Sequence, residues 1–178
     1  MVSLRSVALA VGDALRRAGI DAVLTGGACA SFYSRGAYHS VDLDFVLAGE
    51  VTRSQLDAVM AGLGFRRHRD RYVHPVHPYF VEFPRGPLAI GDDVSIRPVL
   101  RSSGRRTMRL LSPTDSTRDR LAAFYHWNDR QSLQVAIQIA LRNRVVMERI
   151  RRWSAREGAI DKFEEFRAML KAARKRLR

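Results

Sequence analysis

Apolar positions along the chain fall into two regimes. Leu4, Val7, Ala8, Val11 and Leu15 keep the three-and-four spacing of one helical face, and Gly19 after Arg16 and Arg17 suits a C-terminal cap. The period then shortens. Ala22 to Leu24 is a brief apolar run closed by Thr25, Gly26 and Gly27 break it, and small residues over 28–35 suit a helix. The run from Val41 to Phe45 reads as the next strand. Thr52 with Gln55 forms a capping box, and Leu56, Val59, Met60 and Leu63 make the stripe of a helix stopped by Gly64. Residues 65–100 hold no helical period but several short β-type runs parted by Pro and Gly. Arg101 to Arg106 is polar and basic, as expected of a loop or linker.

Beyond that point the pattern is helical. Ser112-Pro113-Thr114-Asp115 supplies a cap, a Pro for the first helical position and an acid for the first turn, with Leu121, Phe124 and Tyr125 facing inward. Asp129 can cap a helix striped by Leu133, Ala136, Ile137 and Ala140; another helix is expected over 146–153. Asp161 with Glu164 suits the start of the last, striped by Phe163, Phe166, Leu170, Ala173 and Leu177. The expected fold is α/β (α+β), a mixed sheet flanked by helices over 1–105 and a basic helical bundle over 106–178. A chain of 178 residues, 46% hydrophobic, can bury one core of that kind.

Chemistry enters at the first break in the pattern. Gly26 and Gly27 allow a tight turn and close approach of a ligand, and a helix N-terminus beyond them offers free N–H groups to phosphate. Asp42 and Asp44 stand two apart in an apolar run, so on a strand both carboxylates share a face. Side by side they repel unless a cation such as Mg²⁺ lies between them. A third acid, Glu82, sits in the β-rich run Tyr79 to Phe83; it completes a metal site or points to solvent from an edge strand. As a third ligand it could also take a proton from an attacking hydroxyl.

The pattern of a Gly26-Gly27-Ala28 turn, a helix, then Ser40-x-Asp42-x-Asp44-Phe45 resembles the nucleotidyltransferase superfamily of polymerase-β-like folds. Within it the motifs look most like the abortive-infection toxin type and related uncharacterised bacterial proteins. The resemblance implies transfer of a nucleoside monophosphate from an NTP to an acceptor hydroxyl, RNA or tRNA, in a toxin–antitoxin setting. On it, Asp42, Asp44 and Glu82 hold Mg²⁺ (or Mn²⁺) and carry catalysis, while Thr25, Gly26, Gly27 and Ser40 hold the triphosphate. Two alternatives stand beside it: small-molecule adenylylation of the antibiotic-modifying kind, and a catalytically idle RNA-binding or antitoxin-like protein.

Charge sharpens the choice of acceptor. Residues 1–100 carry eleven Arg against ten acids, whereas 101–178 carry twenty Arg and Lys against eight. That asymmetry suits a polyanion and argues against polycationic aminoglycosides. Arg118 and Arg120 are candidates for phosphate, Trp127 for stacking a base, and Lys171, Arg174 and Lys175 for a nucleic-acid backbone. His74 and His77 have a metal-like spacing broken by Pro75. No apolar run reaches a membrane span, Met1 to Val11 is too polar for a leader, and Cys29 alone cannot form an internal disulfide, so a cytoplasmic protein without membrane partners is expected.

Overall fold

The structure is a computed structural model that describes residues 2–34, 36 and 38–177. Helix α1 (Leu4–Arg17) opens on a Ser3 cap reciprocated by Ser6. Strand β1 (Asp21–Leu24) follows, then α2 (Gly26–Ser34), β2 (Asp42–Ala48) and α3 (Arg53–Gly62) with its Thr52–Gln55 capping box. Arg35, expected to end the second helix, lies outside the described residues. Five strands come next: β3 (Arg66–His68), β4 (Arg71–Val73), β5 (Phe80–Glu82), β6 (Val99–Ser103) and β7 (Arg106–Leu110). Four helices close the chain: α4 (Pro113–Trp127), α5 (Arg130–Arg142), α6 (Met147–Arg156) and α7 (Ile160–Arg176).

The seven strands form one mixed sheet in the order β3-β4-β5-β2-β1-β7-β6. β1 runs antiparallel to β2 and parallel to β7, and β2 runs parallel to β5. Position in the sheet explains each strand's sequence. β1 is central, and Ala22, Val23 and Leu24 are all buried, hence an unbroken apolar run. β2 is covered on one face only: Leu43 and Phe45 are fully buried while Asp42 and Asp44 face the other way.

The edges departed from expectation. The segment from Arg101 to Arg106, expected as a loop, belongs to the β6–β7 hairpin. β6 is exposed along its whole length, so it lacks the alternation that marks a half-buried strand. The expected boundary between residues 105 and 106 thus falls inside a hairpin, and β7 hydrogen-bonds to β1 within the sheet of the first half.

α1 packs on β1 and β7, α2 on β2, and the C-terminal helices α4 and α5 on α2. Ser112 caps α4 with Pro113 in the first turn, and Asp129 caps α5 through the N–H groups of Gln131 and Ser132. α7 starts at Ile160 with no side-chain cap; Asp161 lies in its first turn instead. Trp153, Phe124, Phe163 and Phe166 are buried among these helices, each worth roughly 1.5–3 kcal/mol of apolar transfer. Lys162 closes the end of α4, its Nζ donating to the carbonyls of Phe124 (3.2 Å) and Tyr125 (2.7 Å). Among the described residues no helix is long and apolar enough to cross a membrane.

Candidate active site

β1 and β2 bring the glycine turn and the paired acids together through backbone hydrogen bonds. The Thr25 N–H donates to the Asp44 carbonyl at 2.9 Å, and the Thr25 hydroxyl donates to the same oxygen at 3.3 Å. The Thr25 carbonyl then accepts from Cys29 N–H at 3.2 Å, which starts α2 immediately after the turn. Thr25 therefore spends its polar groups on fixing the turn against β2.

Gly26 sits at φ +62, in the left-handed region, and a Cβ there would stand 2.5 Å from Asp44 Oδ2. The Asp44 carboxylate thus lies directly against the first residue of α2. Gly27 is crowded from the other side: a Cβ would meet Ser40 Oγ at 2.9 Å and Tyr38 Oη at 3.1 Å. The Ser40 hydroxyl also donates to the Asp42 carboxylate and, at 3.3 Å, to its carbonyl. Both glycines are required because acidic and hydroxyl groups occupy the space at the N-terminus of the helix.

Glu82 joins the pair through strand register. In the parallel ladder of β2 and β5, Asp44 stands opposite Glu82 and Asp42 opposite Phe80. Cross-strand partners share a face, so all three carboxylates lie on the same side of the sheet. Burial pushes the Asp44 carboxyl up to about 6, and the charges of Asp42, Glu82 and Asp119 push the same way against the single opposing pull of Arg120. Its neighbourhood holds more negative charge than the protein neutralises.

α4 contributes two residues to that environment. Arg120 binds one oxygen of Asp119 through Nε (3.0 Å) and Nη2 (2.7 Å), and both side chains are largely buried. Burial opposes the charge of Arg120, but Asp119 outweighs it and holds the guanidinium above its ordinary range. From the sequence Asp119 reads equally as a pocket residue and as an exposed ion pair with Arg120, while nothing local marks Tyr38 as a neighbour of the site. Cys29 and Tyr33 brace the helix from behind, both bonding the Leu111 carbonyl, at 3.8 and 2.8 Å. Cys29 is fully buried, and burial pushes its thiol up to about 12.

Hard oxygen donors, three on one sheet face with an uncompensated carboxylate at their centre, match the chemistry Mg²⁺ or Mn²⁺ requires. As the side chains stand, however, no group of three or more His, Cys, Asp or Glu among the described residues is arranged to hold a metal ion. Asp44 is turned to Gly26 and Asp42 is engaged by Ser40, so side-chain rotation is needed for convergence. His74 and His77 stack face to face, 4.1 Å between centroids, instead of aiming at a shared point.

The basic candidates divide. Arg118 is fully buried: it binds Asp115 at 2.9 Å and Asp93 at 2.5 Å, with its guanidinium 4.9 Å from the Trp153 ring centre. It is a structural ion, unavailable to a phosphate, and in this it departs from the expectation. Trp127 is 78% exposed at the end of α4. Lys171, Arg174 and Lys175 line an open pocket of about 430 Å³ with Met147 and Leu170, and that pocket shares no residue with the carboxylate site. Arg174 also donates to the Ala140 carbonyl at 3.4 Å.

No protein-family model and no curated protein matches the chain. Among solved structures it is similar to the antibiotic-resistance factor ANT(2'')-Ia, at 16% identity and a TM-score of 0.48, covering 98% of this chain and 100% of that one.

Proposed function

We propose that this chain is a metal-dependent nucleotidyltransferase that joins a nucleoside monophosphate from an NTP to an acceptor hydroxyl, the acceptor being RNA. One observation carries the reading: Asp44, uncompensated and pushed up to about 6, lies against Gly26 at the start of α2 and beside Glu82 in register. The free N–H groups of the first turn of α2 and the Arg120 guanidinium receive the triphosphate. Asp42, Asp44 and Glu82 would hold the divalent metal, which supplies charge neutralisation and alignment of the acceptor oxygen with the α-phosphorus. The acceptor O–P bond forms as the bond to pyrophosphate breaks, and Glu82 takes the hydroxyl proton. Ser40 and Tyr38 orient Asp42 and the helix start.

Trp127, Lys171, Arg174 and Lys175 would serve outlying parts of a long RNA, a role the net charge of +13 favours. The toxin–antitoxin setting that the motif resemblance implies belongs to the same reading. A small-molecule acceptor is favoured by a different observation. Phe32, Tyr38, Tyr79, Ser40, Arg5 and Arg101 help to line an open, largely apolar pocket of about 810 Å³ beside the site. That size suits a small ligand, and its lining holds no Asp or Glu among the described residues, so a polycation would find no partner there.

The test is incubation of the protein with each α-labelled NTP, Mg²⁺ and either total RNA or a panel of small hydroxyl compounds. Label appearing in RNA with wild type and not with Asp44→Asn supports the reading. Label in small molecules alone selects the second acceptor. No incorporation with any acceptor, and no stabilisation by Mg²⁺ plus nucleotide, refutes transfer and leaves the idle RNA-binding alternative.

A further inference from the structure

The side of the sheet that carries the carboxylates does not end at Glu82. Register continues outward from it: Glu82 stands opposite Arg71 on β4, and Arg71 opposite His68 on β3. Asp44, Glu82, Arg71 and His68 therefore form one row across four strands. With strands about 4.8 Å apart, that row is about 14 Å long. The neighbouring row reads Asp42, Phe80, Val73 and Arg66. The face thus passes from acids at the site, through an aromatic ring, to cations at the edge.

Three observations make this more than a charged edge. A lone run of charge on an edge strand is accounted for by protection against strand addition. Here the Arg71 guanidinium lies 4.6 Å from the centre of the half-buried Phe80 ring, which fixes a normally floppy cation beside Glu82. Among the described residues neither Arg66 nor Arg71 has a carboxylate within 4.0 Å, although Arg67, on the opposite face of the same hairpin, is paired with Asp57 at 3.3 Å. The hairpin from 66 to 71 holds four Arg against one Asp, in the half of the chain whose overall charge is nearly balanced. Cations left unpaired on the face that leads to the acids, and paired on the other face, fit an anionic ligand on that face.

We propose that the open face of β3, β4 and β5 is the track on which a single-stranded RNA acceptor reaches the site. Backbone phosphates lie on Arg66 and Arg71, a base stacks over the Phe80–Arg71 platform, and the terminal hydroxyl arrives at Asp44 and Glu82. Guanidinium groups suit this role because their planar fork meets phosphate oxygens in pairs, and stacking on an aromatic ring tolerates any base. This rests on the nucleotidyl-transfer reading above and adds to it the acceptor's path and polarity.

The experiment is fluorescence anisotropy of a short, 5′-labelled, mixed-sequence single-stranded RNA titrated with the full chain at several salt concentrations. Wild type, Arg66→Ala/Arg71→Ala and Lys171→Ala/Arg174→Ala/Lys175→Ala are compared, with thermal melts to verify folding. The hairpin variant is expected to lose affinity, and its slope of log affinity on log salt to fall by about 1.4, from about 0.7 for each of two phosphate contacts. The α7 variant should keep the wild-type slope on so short a strand. Arg66→Glu, on the exposed edge strand, provides a second variant that does not disturb Phe80, and it should weaken binding in the same direction. An unchanged slope in the hairpin variant, or no wild-type binding at low salt, overturns the track. Stabilisation by Mg²⁺ plus nucleotide, measured in parallel on wild type and Asp44→Asn, reports on nucleotidyl transfer separately. If it persists in wild type alone while RNA binding fails, the track falls and the transfer reading stands.

Discussion

Two groups of acids in this protein are arranged to opposite ends, one centred on the wholly buried Asp115 and the other on the half-buried Asp44. Around Asp115 every negative charge has an answer: Ser112 donates to one oxygen at 2.8 Å, Arg118 and Arg149 bind the other at 2.9 Å each, and Asp93 sits on the far side of Arg118. Arg156 reaches Asp93 at 3.7 Å. Burial works to push Asp93 up, but the Ser95 N–H and Arg118 more than reverse it and hold its carboxyl below the ordinary range. Around Asp44 burial pushes the carboxyl up to about 6, and the neighbouring acids Asp42, Glu82 and Asp119 add to the push against the pull of Arg120. The first cluster ties the 90–95 loop to α4 and α6; the second is left in electrostatic debt that a bound cation would settle. Residue type does not separate the two clusters; the surrounding charge does, since the more deeply buried Asp115 is the one whose charge is answered.

Removing the central cation tests the structural side and carries the largest expected cost. Arg118→Ala leaves Asp115 and Asp93 buried without their shared partner, and should destabilise the protein by about 3–5 kcal/mol in urea unfolding. A loss below ~1 kcal/mol would show that the network is peripheral to the core.

Asp44→Asn tests the chemical side and should move stability in the opposite direction. A carboxyl raised from 3.8 to about 6 takes up its proton more readily in the folded state. Its charge therefore opposes folding fully above pH 6, by at most about 3 kcal/mol and less after solvent screening, and ceases to do so below about pH 4. The variant should be more stable than wild type at pH 7, with the gap closing on acidification; melts across that range read it directly. Stabilisation of wild type by Mg²⁺ plus nucleotide should strengthen as pH rises through 6 and be absent in the variant.

A smaller effect is expected at the glycine turn beside Asp44. Gly26→Ala places a Cβ at positive φ and against Asp44 Oδ2, so about 1–2 kcal/mol of stability should be lost with a larger loss of nucleotide binding. Equal losses in both would mean that the turn is merely a turn. The least costly change is neutralising Lys171, Arg174 and Lys175 together. On an exposed helix face this should alter stability by less than ~0.5 kcal/mol per site, yet lower the salt slope for a tRNA pool by up to about 2.

Much of the site was legible because its parts are close in sequence or fixed by period. Alternation put Asp42 and Asp44 on one face, glycine marked the turn, and the caps at Thr52, Ser112 and Asp129 gave their helices correct starts. What escaped was set by distant partners. Arg118 reads as a phosphate-binding candidate until Asp93, 25 positions earlier, and Arg149, 31 later, are folded around it. The exposed strands β3 and β6 carry no burial alternation, so nothing local separates them from loops. The cations of β3 and β4 gain meaning only through the register that aligns them with Glu82.

Cys29 gives this architecture an internal clock. It is the chain's single thiol, wholly enclosed on the third residue beyond Thr25–Gly26, and held protonated far above neutral pH. Alkylating reagents can reach it only when the packing of α2 against its neighbours opens, so the rate of labelling counts openings around the helix whose first turn would grip phosphate. The same enclosure shields the thiol from sulfenic acid formation and accidental cross-linking in air for as long as the helix stays down.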